Sequence, residues 1–428
     1  MNTPPETFTV LTTCGRGIVP FLKEEITALQ LPILRELESG IELQCTMPDI
    51  MRLNLFLRTA NRVLLELSKG RARDANELYT HIHTLPWETL IPDTGYFTVA
   101  SYVDSPAIRD SRFANVKCKD AIVDRFREKF GHRPDSGNER SGAVVFLHWV
   151  NDVATVYLDT SGESLSRRGY RKIPMEAPMQ EALAAAVVMA AGWKGNGHFI
   201  NPMCGSGTLA IEAALQAQGR APGLLRSQFG FLHLKDVDTS LWQRIRSETR
   251  ALPKQKLTGR IIASDNRPEA VEAARQNART AGVEHLIEFH VCDFADTPIP
   301  PAEGENPGVI VLNPAYGERM GDVLALEPVY RRIGDFFKQK CQGYRGYVFT
   351  GNLDLGKMTG LRTSRKILFF NGNIECRLLG FNLYAGSVRK SKQPQGEGSG
   401  FSPQGSGNPN KSPKPYASHE HQILNPEP

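Results

Sequence analysis

The chain has 428 residues, 51 Lys and Arg against 46 Asp and Glu, and a net charge of +5. At roughly 150 residues per domain that length asks for two or three cores. With 40% hydrophobic and 23% charged residues the composition is that of an ordinary globular protein, and no apolar stretch approaches the ~20 residues that a bilayer requires, which excludes membrane insertion.

The opening MNTPPETFTVLTTCGRG has no basic segment followed by an apolar one, so no secretory leader is expected and the chain is placed in the cytoplasm. Its seven cysteines, at 14, 45, 118, 204, 292, 341 and 376, form no CxxC pair. Reduced thiols and no structural metal are the expectation. Residues up to about 160 read as one or two α+β units. TFTVLTT, GIELQCT, YFTVASYV and AVVFLHWV are the strands, and helices are predicted over Ile18–Leu29 and Ser111–Phe130. From Arg109 to Arg140 there are nine Lys or Arg against six Asp or Glu, a net of +3. Arg112, Lys117 and Lys119, followed by Arg125, Arg127, Lys129 and Arg133, could meet phosphates or merely solvate a helix. The segment DTSGESLSRRGYRKIPM, from Asp159 to Met175, carries turn residues and little periodicity, so the main domain linkage is placed there. Its Arg167, Arg168, Arg171 and Lys172, beside Tyr170, form a basic cluster free of intervening acids that could meet phosphates.

From about Gly197 to Tyr384 short apolar runs alternate with helical patterns: HFIN and a helix from Ser206, RIIASD and EAVEAARQNARTAG, LIEFHVCD, GVIVLN and a helix near Pro328–Lys340, RGYVFT. Such alternation builds βαβ units around a parallel sheet. RKILFF and ECRLLGFNLY are separated only by a hairpin-length turn, so the last strand is expected to run antiparallel to its neighbour. That ending resembles the class I methyltransferase fold more than a plain dinucleotide-binding domain. After Gly386 the Gly, Ser, Pro and Gln content leaves almost nothing to bury, and a disordered tail is expected.

Three strand ends carry the strongest signals. Phe199–Ala210, FINPMCGSGTLA, passes from a strand through a glycine turn into a helix; Gly205 and Gly207 allow close backbone approach to a ligand, although GSGTLA alone fits a dinucleotide fingerprint equally well. Asp265 ends the next strand, where it could accept both ribose hydroxyls of S-adenosylmethionine (AdoMet). Asp293, beside Phe294, ends the third and could accept from an adenine amino group. Either carboxylate could instead be a helix cap. Carboxyl edges of open α/β sheets are where ligands bind. At the fourth strand end stands Leu312-Asn313-Pro314-Ala315-Tyr316-Gly317. An exocyclic base amine is a poor nucleophile because its lone pair is delocalised into the ring. Acceptance of its N–H groups by the Asn313 side-chain oxygen and the Pro314 carbonyl would favour the attacking geometry, and Tyr316 could stack on the base. No strong base or metal is needed. The bland alternative is an Asn-Pro turn after a buried strand.

The pair NPMCGSGTLAIEAA and LNPAYGER resembles the bacterial RlmL-like family of THUMP-containing rRNA guanine-N2 methyltransferases, and the likeness extends through SDNRPEAVEAARQNA and NGNIECRLL, from Val10 to about Leu383. The resemblance implies an α/β chain in which an α+β ferredoxin-like region (1–70) and a THUMP RNA-binding domain (71–160) precede a class I, Rossmann-like methyltransferase domain (161–385) and the tail (386–428). The cofactor is AdoMet, expected on Asn201, Pro202, Cys204, Gly205, Gly207, Asp265, Asn266, Asp293 and Phe294, with Asn313, Pro314 and Tyr316 catalytic. Structured RNA is the partner, with Arg112, Lys117, Lys119, Arg167, Arg168, Arg171 and Lys172 as contacts; Thr12–Gly17 resembles the start of the ferredoxin-like unit, with Arg16 an RNA contact or a surface turn. Ala177–Glu181 resembles the element packed over the methionine end of the cofactor. Two positions depart from the pattern: Asn201 stands where the family has Asp, and Ala315 where it has Pro. N2-methylguanosine in large-subunit rRNA is the expected product. A tRNA guanine-N2 methyltransferase and a noncatalytic RNA-binding assembly protein are the alternatives, separable by which methyl groups a deletion strain loses.

Overall fold

The front half builds one sheet. The computed structural model describes residues 6–384 apart from 109, 176, 177, 303, 305, 306, 318 and 319, together with the backbone alone at 320–322, so the expected tail lies outside the described residues. In chain order the front half comprises β1 (Phe8–Cys14), α1 (Val19–Ala28), β2 (Ile33–Leu37), β3 (Gly40–Cys45), α2 (Met47–Phe56), β4 (Ala60–Arg71), α3 (Ala75–His83), α4 (Trp87–Leu90), β5 (Tyr96–Asp104), α5 (Ser111–Phe130), β6 (Asp135–Gly137), β7 (Ala143–Val150) and β8 (Val153–Asp159). Its eight strands lie in the order β2-β3-β1-β4-β8-β7-β5-β6. β4 makes this continuity: its start pairs with β1 from Ala60 to Leu65, and its length from Leu64 to Arg71 pairs with β8. The units anticipated at 1–70 and 71–160 thus share a strand. Local chemistry sets the helix ends, as in α5, where the Asp110 side chain accepts from the Arg112 N–H and Gly131, at φ 76°, closes the last turn in the left-handed region.

The back half comprises α6 (Glu181–Ala190), β9 (His198–Pro202), α7 (Thr208–Ala217), α8 (Thr239–Ala251), β10 (Ile261–Asp265), α9 (Pro268–Ala281), β11 (Ile287–Val291), β12 (Gly308–Leu312), α10 (Met320–Lys340), β13 (Arg345–Thr350), α11 (Leu353–Met358), β14 (Arg365–Asn371) and β15 (Ile374–Asn382). The strand order is β11-β10-β9-β12-β13-β15-β14, parallel from β11 to β13. β15 runs antiparallel to both β13 and β14, as the short turn required, and slots between them. β9, β10 and β12 are buried on both faces, the pattern of a sheet covered by helices. α10 starts eight residues before Pro328, which the helix carries inside it. No helix among the described residues is long and apolar enough to cross a membrane.

The halves are joined by buried polar groups. The Arg168 guanidinium in the linkage donates to both Glu212 carboxylate oxygens, 2.8 and 3.1 Å, and to the Arg58 carbonyl at 2.6 Å, while the Tyr170 hydroxyl donates to Glu212 at 3.0 Å. Arg58 reaches the Arg220 carbonyl at 2.9 Å. Deeper in the front half Arg62 pairs with Asp159, and Asn54 donates to Thr160 at 2.9 Å. Buried charges persist only when paired and hydrogen-bonded, and these meet that condition.

Candidate functional site

Parallel pairing brings the four predicted strand ends to one edge, with Asn201 level with Ala263 and Asp265 level with Val291. Between β9 and α7 the backbone turns through positive φ at Met203 (58°), Gly205 (53°) and Gly207 (82°). The two glycines do different work. A Cβ on Gly205 would meet nothing within 4 Å, so this residue is needed for its conformation and faces open space, whereas a Cβ on Gly207 would lie 2.8 Å from the Ala274 Cβ. The missing side chain of Gly207 therefore serves the close packing of the loop on α9. The Cys204 N–H donates to the Ser264 carbonyl at 2.9 Å, and burial pushes its thiol well above the ordinary range, so it stays protonated.

Asp265, almost wholly buried, accepts from the Gly205 N–H at 2.9 Å through one oxygen and from the Arg267 N–H at 3.1 Å through the other. The carboxylate that could take a ligand's hydroxyls thus also shapes the glycine turn. Asn266 follows it, exposed. Asp293 is the cap of a short turn, accepting from the Ala295 N–H at 2.9 Å, and is paired with Arg332 at 2.7 Å. Burial raises its pKa, but those two partners outweigh it and hold the carboxyl below its ordinary value. Phe294 is buried edge-on against Phe336, with the Arg332 guanidinium 4.9 Å from its ring centre.

Asn201 is fully buried. Its Nδ2 donates to the Val311 carbonyl at 2.9 Å and clips β9 to β12 beneath the loop, while its Oδ1 has no hydrogen-bond partner among the described residues. That contact gives the departure from Asp a physical sense, since a carboxylate in this position would oppose the Val311 oxygen. Beyond β12, Pro314 is buried and the Asn313 Oδ1 is a second buried acceptor without a hydrogen-bond partner among the described residues. Unpaired buried oxygens are uncommon and costly, and mark a place where a donor is missing. The Ala315 carbonyl accepts from the Tyr330 hydroxyl at 3.2 Å, which tethers the loop at the position where the family's second proline is absent. The Tyr316 hydroxyl accepts from Asn371 Nδ2 at 3.0 Å. Sequence reasoning missed Tyr330 and Asn371, which stand 15 and 55 residues away from their partners in this loop.

The basic cluster of the linkage divides. Arg168 is 1% exposed and committed to Glu212, and Tyr170 is equally buried, so neither meets RNA. Arg171 is mostly buried as well, donating to the Met179 carbonyl at 2.6 Å and Thr208 Oγ1 at 3.1 Å. It ties the Pro178–Glu181 segment to the start of α7; Ala177 lies outside the described residues. Both arginines are corrected from RNA contacts to internal braces, because Arg168 is buried against Glu212 and Arg171 is turned inward onto Met179, Thr208 and, at 3.6 Å, Glu181. Arg167, paired with Glu163 at 3.3 Å, and Lys172 are exposed and open on a cleft of about 290 Å³ between the halves, lined also by Arg140, Arg226, Phe229 and His233. On α5, Arg112 is exposed beside Asp110, and Lys117 and Lys119 are half-buried. Arg125 is pinned to Glu88 at 2.6 Å, which removes it from the set available to phosphates. Arg16 pairs with Glu38 at 2.9 Å and lies over the Phe370 ring. Among the described residues no group of three or more His, Cys, Asp or Glu could hold a metal ion.

A seven-stranded sheet of this order, with an antiparallel penultimate strand and a glycine turn after β9, defines a class I, Rossmann-like methyltransferase domain. Family models match in three blocks, an RlmL ferredoxin-like domain over 9–64, a THUMP domain over 72–159 and an RMKL-like methyltransferase domain over 168–379, and the chain belongs to the RlmL-like family of THUMP-containing methyltransferases. It is 38% identical to the ribosomal RNA large subunit methyltransferase K/L of Syntrophotalea carbinolica over 377 residues, 87% of this chain and 53% of that protein. The chain spans about half the length of the curated relatives it matches. Among solved structures, SMU.472 complexed with SAH aligns with TM-score 0.79 and 28% identity over 90% of this chain and 100% of the other. A protein of Listeria monocytogenes named as a predicted N6-adenine-specific DNA methylase aligns with TM-score 0.75 and 30% identity, over 88% and 96%.

Proposed function

We propose that this chain is an AdoMet-dependent RNA methyltransferase that forms N2-methylguanosine in large-subunit rRNA. The observation that carries the reading is the Asn313 Oδ1, a buried acceptor left without a partner among the described residues, at the sheet edge where the glycine turn also lies. An amino group on a base is the donor it lacks, and acceptance of its hydrogens draws the nitrogen lone pair out of conjugation. The residues present fit AdoMet: Gly205 leaves open space above the turn, and Asp265 stands at the second strand end, where ligand hydroxyls would be met. When bound, AdoMet supplies an electrophilic methyl group. Asn313 and the Pro314 carbonyl orient the amine, and the Tyr316 ring holds the base plane. The buried, protonated Cys204 is no nucleophile, which disfavours a route through a covalent pyrimidine adduct.

The rRNA assignment rests on the family's K/L relatives and the THUMP block, and the cleft holding Arg167 and Lys172 offers a path for phosphates between the halves. N6-adenine methylation is the second reading, favoured by the name of the Listeria relative, since the same acceptors suit that amine. Nucleoside mass spectrometry of large-subunit rRNA methylated in vitro by the purified chain tests both. N2-methylguanosine is the expected product; label in N6-methyladenosine would replace guanine by adenine, and label in 5-methylcytidine or a ribose 2′-O-methyl group would refute the amine mechanism.

A further inference from the structure

The Tyr316 ring is held from the far side of the sheet. Its hydroxyl accepts from Asn371 Nδ2 at 3.0 Å, and a Cβ added to Gly351 would lie 2.9 Å from its ring. Asn371 ends β14 and is paired in register with Ile374 across the hairpin turn. β14 is the last strand of its sheet and hydrogen-bonds only β15 within it. The end that carries Asn371 is nevertheless covered, by the ferredoxin-like unit. The Phe21 ring on α1 stacks on Phe369, centroids 5.7 Å apart and planes 18° apart, and the Arg16 guanidinium sits 4.2 Å above Phe370. Between them the β1–α1 turn approaches so closely that a Cβ on Gly17, at φ 80°, would lie 2.5 Å from the Leu368 carbonyl oxygen. The three residues of β14 seated under this turn are the three that precede Asn371.

We propose that Asn371 is a positioning residue for Tyr316 and that the ferredoxin-like unit, by seating β14, sets that position, so that a unit remote in sequence forms part of the scaffold of the catalytic site. The proposal rests on the methyltransferase reading above and adds to it a route by which displacement of the front half is felt as misplacement of the base-stacking ring. Stacking geometry matters because a displacement of about 1 Å at the reacting groups can cost on the order of a hundredfold in rate. The contacts described, from α1 through β14 to Tyr316, do not include Asp265 or the glycine turn, so AdoMet affinity is expected to stay unchanged.

The test is a double-mutant cycle on the full-length chain, with large-subunit rRNA from a gene-deletion strain and saturating AdoMet. Asn371→Ala and Tyr316→Phe each lower kcat by about ten- to a hundredfold, with KM for RNA and Kd for AdoMet within about twofold of wild type. The double variant is no slower than Tyr316→Phe alone, because both substitutions remove one hydrogen bond. Phe21→Ala, on the other domain, lowers kcat in the same direction and provides a second readout if Asn371→Ala perturbs the hairpin. Wild-type kcat in a folded Asn371→Ala variant, or independent, multiplicative losses in the double variant, overturns the positioning role while leaving the methyltransferase reading standing. Absence of methyl transfer by the wild-type chain, assayed alongside, overturns that reading and the proposal with it.

Discussion

Replacement of Arg168 by alanine separates a brace from a nucleic-acid contact. The guanidinium is 1% exposed and Glu212 is fully buried, and between them run two charge-assisted hydrogen bonds of 2.8 and 3.1 Å. Arg168→Ala leaves the Glu212 carboxylate with the Tyr170 hydroxyl, and strips the Arg58 and Leu165 carbonyls of a donor. Removal of one partner from a buried pair costs about 3–5 kcal/mol, most of it the uncompensated charge that remains. Near-complete burial means that solvent screening does not discount this figure. Unfolding by urea, followed through the buried Trp193 and Trp242 of the methyltransferase domain, is the assay. The expected midpoint shift corresponds to about 3–5 kcal/mol, and the double variant Arg168→Met/Glu212→Leu should recover part of it, since apolar replacement of both members of a buried pair is often neutral. Arg167→Ala, one position earlier and exposed, should change stability by no more than about 0.5 kcal/mol while reducing the salt dependence of RNA binding by about one phosphate contact. An Arg168→Ala protein that unfolds at the wild-type midpoint but binds RNA weakly would refute the assignment of the two arginines.

Asp265→Ala should weaken AdoMet binding by about 1–3 kcal/mol by calorimetry; unchanged affinity in a folded variant would remove Asp265 from the cofactor site. Asn313→Ala should lower kcat by about a hundredfold or more with AdoMet affinity intact, because in the proposed mechanism its acceptor acts on the attacking amine; a change confined to KM for RNA would make it a binding residue instead. Six of the seven cysteines are buried and Cys292 is half-buried. Burial raises these thiols, that of Cys45 to about 12, so they remain neutral at pH 8. Ellman's reagent should therefore find one slowly reacting thiol in the native protein and all seven in denaturant; rapid labelling of several native thiols would contradict the buried cores.

What could be read along the chain was what depends on near neighbours. The helix over Ser111–Phe130 and the strands over Ala143–Val150 and Arg345–Thr350 carry their own periodicity and end signals, and they occur where that reasoning puts them. The glycine turn and the acidic strand ends were legible for the same reason. α10 was shortened because Pro328 reads as a helix start, yet in the structure it sits inside a longer helix. Arg168 was misread because the residue that neutralises it is 44 positions downstream, and nothing local separates a charge awaiting phosphate from one already paired. The insertion of β15 between β13 and β14 is equally invisible to a local pattern, since the hairpin turn specifies which strands are adjacent but not which of them meets the parallel sheet.

β4 constrains how this architecture can be taken apart. Because its first half belongs to the ferredoxin-like unit and its second to the THUMP region, a cut near residue 70 assigns the whole strand to one fragment and leaves the other with a bare edge. A fragment that starts after β4 would present β8 with its ladder unpaired, and one that ends before β4 would do the same to β1, an invitation to edge-to-edge association. The THUMP region of this chain is therefore not a portable module. It can be moved, fused or swapped between proteins only together with the unit that precedes it.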